Sequence, residues 1–114
     1  MGAVKISATI ITFNEESKIE KCLLSLKGVV DEIVVVDSFS NDQTAAICAR
    51  YPVRFIKNVF HGYIAQKNFA LQQASYDHVL SLDADEVLSE TLKASILEVK
   101  SDWGNAYGYS FNRF

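Results

Sequence analysis

The amino-acid sequence predicts an α/β domain in which a mostly parallel sheet carries helices on both faces, in three α/β/α layers. Three observations lead there. Short apolar runs alternate with helix-patterned segments along the chain. The connections between them are short, without a Pro/Gly/Ser-rich linker, a low-complexity tract or an internal repeat. The best-marked strand is continuously apolar rather than alternating, as strands buried on both faces are.

Taken in order, "KISATIITF" is rich in Ile and Thr and predicts a first strand. Asn14 is expected to cap the helix that follows, with Glu15 and Glu16 in a first turn where negative charge suits the helix dipole. Ile19, Cys22, Leu23 and Leu26 recur at helical spacing, and Gly28 supplies the stop. "EIVVVD" is heavily β-branched and too short for a buried helix, so it reads as a strand. Ser40 with Gln43 has the signature of a capping box, opening a helix from Asp42 to about Arg50. Pro52 ends it, and "VRFIKN" predicts a third strand. "GYIAQKNFALQQA" predicts a third helix and "HVLSLD" a fourth strand. Ser89 is placed as the cap of a helix with Leu92, Ile96, Val99 and Trp103 on one stripe. "YGYSFNRF" reads as the start of another strand.

Composition narrows the function. The chain has 114 residues, 49% of them hydrophobic, and a formal net charge of −3. That suits a single domain with a real core. The mild acidity argues against a nucleic-acid footprint and against attraction to a membrane by charge. No window reaches the roughly 18 uninterrupted apolar residues of a spanning helix. The first residues alternate apolar with polar and carry no small-residue cleavage site, so they read as a strand rather than a leader. Cys22 and Cys48 fall within apolar helical patterns, which favours buried thiols in a reducing cytoplasm over a disulfide.

In an open parallel sheet, ligands bind beyond the carboxyl ends of the strands. Three strand ends therefore define the candidate site: Phe13, Asn14 and Glu15; Asp37 and Ser38; Asp83, Ala84 and Asp85. The five glycines form neither the G-x-G-x-x-G of dinucleotide binding nor a G-x-x-x-x-G-K-[ST] phosphate loop. "VLSLDADEVLS" offers another way to hold phosphate. Asp83 and Asp85, two positions apart where the chain leaves the sheet, can turn toward one cleft. Their hard oxygens suit Mg²⁺ or Mn²⁺ shared with a diphosphate. Taken alone, such a pair is more often a solvated acidic loop before a helix. Asp37 has the position to bond a nucleobase imide or ribose hydroxyls, or to be a turn residue. Phe13 either lies against a base or belongs to the core, and Lys67 either approaches phosphate or is solvated. His61 is assigned no role.

Together these segments resemble the N-terminal, nucleotide-binding part of a family 2 glycosyltransferase with the Rossmann-like GT-A fold. "TIITFNEE" resembles its first-strand motif. "IVVVDSFSNDQT" resembles the motif ending in Asp-x-x-Ser-x-Asp-x-Thr. "GYIAQKNFALQQA" resembles its Lys/Arg-Asn helix, and "HVLSLDADE" its D-x-D strand. "VVDSFSNDQT" and "GYSFNRF" are most similar to the lipopolysaccharide-core type of bacterial glucosyltransferase. The resemblance implies that Phe13, Asn14 and Glu15 line the base pocket and that Asp37 bonds the base. It places Ser38, Lys67 and Ala84 near the nucleotide, Asp83 in the ribose or metal region, and Asp85 as the main metal ligand. It implies inverting transfer of a sugar from a nucleotide donor, a UDP-sugar by default, to a hydroxyl of a glycan or glycolipid, with Mg²⁺ or Mn²⁺. The implied location is the cytoplasm, with peripheral contact at the inner membrane face as an option. The general base is expected after Phe114, so that 1–114 reads as a nucleotide-sugar-binding domain truncated at its C-terminal end. An open sheet edge there invites self-association.

Three other readings remain. A nucleotidyltransferase also joins carboxylates and a metal to such a sheet, but "FNEESK" lacks the glycine- and arginine-rich loop that triphosphate needs. A binding domain without turnover fits the same residues. For a flavodoxin-like signalling domain, no phosphoacceptor Asp is evident.

Overall fold

The structure, a computed structural model, describes residues 5–101. The strand expected at 107–114 and the Trp103 end of the last helical stripe lie outside them. Four strands form one sheet: β1 (Ile6–Thr12), β2 (Glu32–Asp37), β3 (Arg54–Lys57) and β4 (His78–Asp83). Their order is β3-β2-β1-β4 and every pairing is parallel. Register brings the carboxyl ends level: Thr12 pairs with Asp37, and Ile11 with Asp83.

Strand alternation divides the core. Ile6, Ala8 and Ile10 of β1, with Val35, Leu80 and Leu82, pack against Ile19, Cys22 and Leu26 of α1 (Ile19–Leu26). Ile47 and Cys48 of α2 (Thr44–Cys48) and Ile96 of α4 (Glu90–Ser101) join that face. Val34 and Val36 face the other way, onto Ala70 and Phe69 of α3 (Tyr63–Gln73). Each fully buried Val, Ile or Leu side chain among these contributes about 1.5–3 kcal/mol. β1 leads outward to β2, whereas the connection through α3 returns across the opposite face to β4. The chain reverses direction at β1, and a crevice opens between the ends of β1 and β4.

Two expected helix starts are corrected. Asn14 caps nothing: it adopts a left-handed φ of 52°, and α1 begins only at Ile19, after a turn closed on the Glu15 carbonyl. Ser40 and Gln43 form no capping box, and α2 spans only Thr44–Cys48. The Ser40 side chain is engaged with Asp37, while Asp42 Oδ1 accepts from the Thr44 N–H at 2.9 Å. Ser89 does cap α4, accepting from the Leu92 N–H at 3.0 Å. Gly28 ends α1 with a φ of 79°, which an L side chain rarely adopts. Cys22 and Cys48 are buried free thiols.

At the opposite end of the sheet, Glu32 joins three strands. It accepts from the Ser7 hydroxyl at 2.7 Å, from Ser75 N–H at 2.8 Å and hydroxyl at 2.7 Å, and from Arg54 Nη1 at 2.8 Å. Burial opposes ionisation, but these donors outweigh it and bring the carboxyl down to about 2. A depressed carboxyl stabilises the fold above its unfolded pKa and loses that contribution as pH falls through the folded one. Stability should therefore drop between about pH 4.5 and 2, by about 1–2 kcal/mol after solvent screening. Glu32→Gln should be less stable at neutral pH and flatter across that window in acid-dependent urea denaturation. A wild-type acid profile in Glu32→Gln would remove Glu32 as the cause.

Candidate functional site

The crevice is a cleft of about 650 Å³. Phe13, Glu15, Ser38, Lys67, Asp83, Ala84 and Asp85 line it, together with Ile11, Thr12, Phe60, Tyr63 and Gln66. Seven residues nominated from the sequence thus meet in one place, although they come from three strand ends and a helix. Asn14 and Asp37 are not among the lining residues.

Asp37 lies beneath the cleft, fully buried. Its Oδ1 accepts from Thr12 Oγ1 at 2.6 Å and Ser40 Oγ at 2.5 Å, and its Oδ2 from Ser40 N–H at 2.7 Å. Ser40 Oγ accepts in turn from the Asn14 N–H at 2.7 Å, and Asn14 Oδ1 from the Asn41 N–H at 2.9 Å. Thr44 Oγ1 accepts from Glu15 N–H at 2.9 Å, and Glu16 Oε1 from Gln43 N–H at 2.9 Å. Asp37, Ser40, Asp42 and Thr44 thereby lash the loop after β1 to the loop after β2. The left-handed turn at Asn14 is what lets its N–H and side chain both meet that second loop.

Asp83 and Asp85 stand at the end of β4. The bend is closed by Glu86, whose N–H donates to the Asp83 carbonyl at 3.0 Å and whose Oε1 accepts from the Asp83 N–H at 2.7 Å. One of the three carboxylates is thus spent on the turn. Lys67 Nζ approaches Asp83 Oδ1 at 3.8 Å. The exposed Asp85 carboxylate has no hydrogen-bond or ion-pair partner among the described residues. Glu15 registers this charge: burial, then the neighbouring Asp85 carboxylate, hold its carboxyl above the usual range, with Lys18 opposing. Behind the bend, burial first and then Glu86 push the Cys22 thiol up to about 12.

Hard oxygen donors in a negative field fit Mg²⁺ or Mn²⁺. Among the described residues no three His, Cys, Asp or Glu side chains form a self-sufficient cage. Two carboxylates completed by a ligand's own oxygens match what Mg²⁺ ordinarily takes.

Phe60, Tyr63 and Gln66 escape a motif-based reading. Phe60 and Tyr63 pack edge to face, centroids 5.2 Å apart, and stay 46% and 70% exposed at the cleft mouth. Gln66 is buried and lies one helical turn before Ala70. A lone glutamine on the buried stripe of a helix is the signal that could have found it.

Fold and site define a doubly wound α/β domain with a carboxylate-lined cleft at its switch point. The chain belongs to glycosyl transferase family 2, whose model matches residues 7–109. It is 45% identical over 92 residues to an uncharacterized glycosyltransferase of Rickettsia felis, covering 81% of this chain and 32% of that protein. It is 42% identical over 99 residues to the lipopolysaccharide core biosynthesis glycosyltransferase LpsC of Rhizobium meliloti, covering 82% of this chain and 36% of LpsC. Among solved structures, TarS 1–349 of S. aureus superposes with a TM-score of 0.70 at 32% identity, over 83% of this chain and 32% of that one. Glucosyl-3-phosphoglycerate synthase of Mycobacterium tuberculosis, in complex with Mn²⁺, UDP-glucose and phosphoglyceric acid, does so with a TM-score of 0.64 at 27% identity. That match covers 71% of this chain and 33% of the synthase. The chain spans about a third of the length of the curated relatives it matches. Among the described residues no helix is long and apolar enough to cross a membrane.

Proposed function

We propose that residues 1–114 form the nucleotide-sugar-binding unit of an inverting, metal-dependent glycosyltransferase. The carrying observation is the convergence of Asp83, Asp85 and Lys67 with Phe13 and Ser38 around one cleft at the switch point. In this reading Asp85 and Asp83 hold a divalent cation, which when bound offsets charge on a diphosphate leaving group. Lys67 adds positive charge from α3, and Phe13, 56% exposed, offers a face to the base. Asp37 acts from below, by holding Thr12 and Ser40 and so the two loops in place. The donor proposed is a UDP-sugar, supported by the synthase structure with UDP-glucose. The acceptor proposed is a hydroxyl of a bacterial surface glycan or glycolipid, supported by the likeness to LpsC. The setting proposed is the cytoplasm, at or near the inner face of the membrane.

The general base is proposed to come from outside the described residues, because Glu86 is committed to the Asp83 N–H. That commitment also favours a second reading, nucleotide binding without transfer by these residues alone. Calorimetric titration of the 114-residue chain with UDP, GDP and ADP, each with and without Mn²⁺, tests the proposal. Uridine diphosphate should bind at least about ten-fold more tightly with Mn²⁺, a gain of about 1.4 kcal/mol. Absence of binding by every nucleotide overturns the reading. Binding without release of UDP from UDP-glucose in the presence of candidate acceptors selects the second one.

A further inference from the structure

The carboxylate bend after β4 is tied down from α1, a helix that lines no part of the cleft. Ser25 places a hydroxyl on the buried stripe of α1, among Ile19, Cys22, Leu23 and Leu26. It is 4% exposed. Its Oγ donates to the Cys22 carbonyl one turn back at 2.8 Å and accepts from the Leu88 N–H at 3.1 Å. Within its own helix the serine gains nothing, because bonding back to the preceding turn competes with the helix ladder. The second bond accounts for it. Leu88 is buried in the core, and a buried backbone N–H requires an acceptor.

The segment between β4 and α4 has no ladder to hold it. Pairing with β1 ends at Ile11 and Asp83, and residues 84–89 lie outside any strand or helix. The near end is fixed by Glu86 on the Asp83 N–H, with the Cys22 thiol 3.9 Å from the Asp83 carbonyl oxygen. The far end is fixed by Leu88 on Ser25. Ala84 and Leu88 sink into the core, whereas Asp85 between them turns outward.

We propose that Ser25 is a positioning residue for the divalent cation, acting through the Leu88 N–H to hold the Asp85 carboxylate within reach of the metal. The inference rests on the metal-dependent nucleotide-sugar reading and deepens it. A carboxylate ligand serves Mg²⁺ only from a narrow range of positions. Groups that orient such ligands from behind typically change metal affinity by about 10–100-fold when removed. Without Ser25 Oγ, the backbone at 84–88 shifts to bring the Leu88 N–H to another acceptor, and Asp85 moves with it. Phe13, Ser38 and Lys67 stand on other elements, so metal-free binding is left as it was.

The test is titration of the 114-residue chain with UDP across a Mn²⁺ series, in the wild type and in Ser25→Ala. Ser25→Ala should raise the Mn²⁺ concentration that gives half of the affinity gain by about ten-fold or more. Its metal-free affinity for UDP should stay within about two-fold of the wild type, less than a lost hydrogen bond would cost. Amide hydrogen exchange should quicken at Leu88, the direct sign that its acceptor is gone. Ser25→Thr keeps the hydroxyl and should restore the wild-type Mn²⁺ response. Ser25→Cys, whose sulfur accepts only weakly, should shift the response in the same direction as alanine. It carries the test if Ser25→Ala does not fold. An unchanged Mn²⁺ response in either folded variant overturns the proposal and leaves the nucleotide-sugar reading standing. So does an equal loss with and without Mn²⁺, which is what a purely structural serine would give. A wild type that binds UDP with no Mn²⁺ dependence overturns this inference together with the metal reading beneath it.

Discussion

Asp85→Ala should abolish the Mn²⁺ dependence of uridine diphosphate binding, leaving the affinity near that of the metal-free wild type. Asp85 is the exposed carboxylate at the end of β4, and its charge reaches Glu15 strongly enough to help raise that carboxyl. In the proposed site, removing it deletes a principal oxygen donor for the cation. It also relieves the field on Glu15, which should then titrate closer to an ordinary glutamate. Asp83 cannot substitute fully, because it faces Lys67 at 3.8 Å and its backbone is fixed by Glu86. Loss of the metal-linked gain, at least ten-fold or about 1.4 kcal/mol, is the minimum expected. Stability should change little, since nothing among the described residues leans on the Asp85 side chain. Calorimetry with and without Mn²⁺ is the check. An unchanged Mn²⁺ response in Asp85→Ala would remove the residue from the metal site.

Asp37→Ala should strongly destabilise the fold, and it should weaken even metal-free nucleoside binding. The carboxylate is fully buried and accepts three short hydrogen bonds, two from hydroxyls and one from a backbone N–H. Alanine leaves those donors without an acceptor in a dry site, at about 3–5 kcal/mol. Asp37→Asn should be intermediate, since one oxygen can still accept while the amide nitrogen meets a donor. Urea denaturation measures the stability loss, and limited proteolysis after β1 and β2 should show the two loops released. A wild-type denaturation midpoint in Asp37→Ala would mean that the loops are tied without it.

Phe39 carries a related strain. Its φ of 61° is unusual for a bulky residue. Ser38 on one side is held by Gln66 and the Thr12 carbonyl, and Ser40 on the other by Asp37. Such strain persists only where the surroundings over-determine it. The neighbours of Phe39 do so.

Much of the molecule can be read along the chain. "IVVV" declares a strand buried on both faces, and Val34 and Val36 do face one layer while Val35 faces the other. Ile19, Cys22, Leu23 and Leu26 declare the buried stripe of α1, and all four are buried. Asp83, Asp85, Lys67, Phe13, Glu15 and Ser38 are legible because a parallel sheet sends its strand ends to one edge. These features follow from local periodicity and from the geometry that every parallel sheet shares.

The helix starts and the roles within the site are a different matter. Asn14 and Ser40 have the chemistry of caps, but each finds a longer-range partner that competes with the nearest turn. Asn14 reaches Ser40 and Asn41, and Ser40 reaches Asp37 and Asn14. No local pattern announces a partner 26 positions away. Asp37 could have faced the ligand or the core, and only the packing of Thr12 and Ser40 around it puts it beneath the cleft. Gln66 is an unremarkable helix residue until Asn58 and Ser38 close on it from two other elements. The sequence by itself determined the strands, the buried stripes and the edge at which the functional groups collect, because each depends on the chain's own repeat. Which oxygen donates, which accepts and which carboxylate stays free was decided only by the tertiary structure, because a hydrogen bond is settled by neighbours that folding brings together.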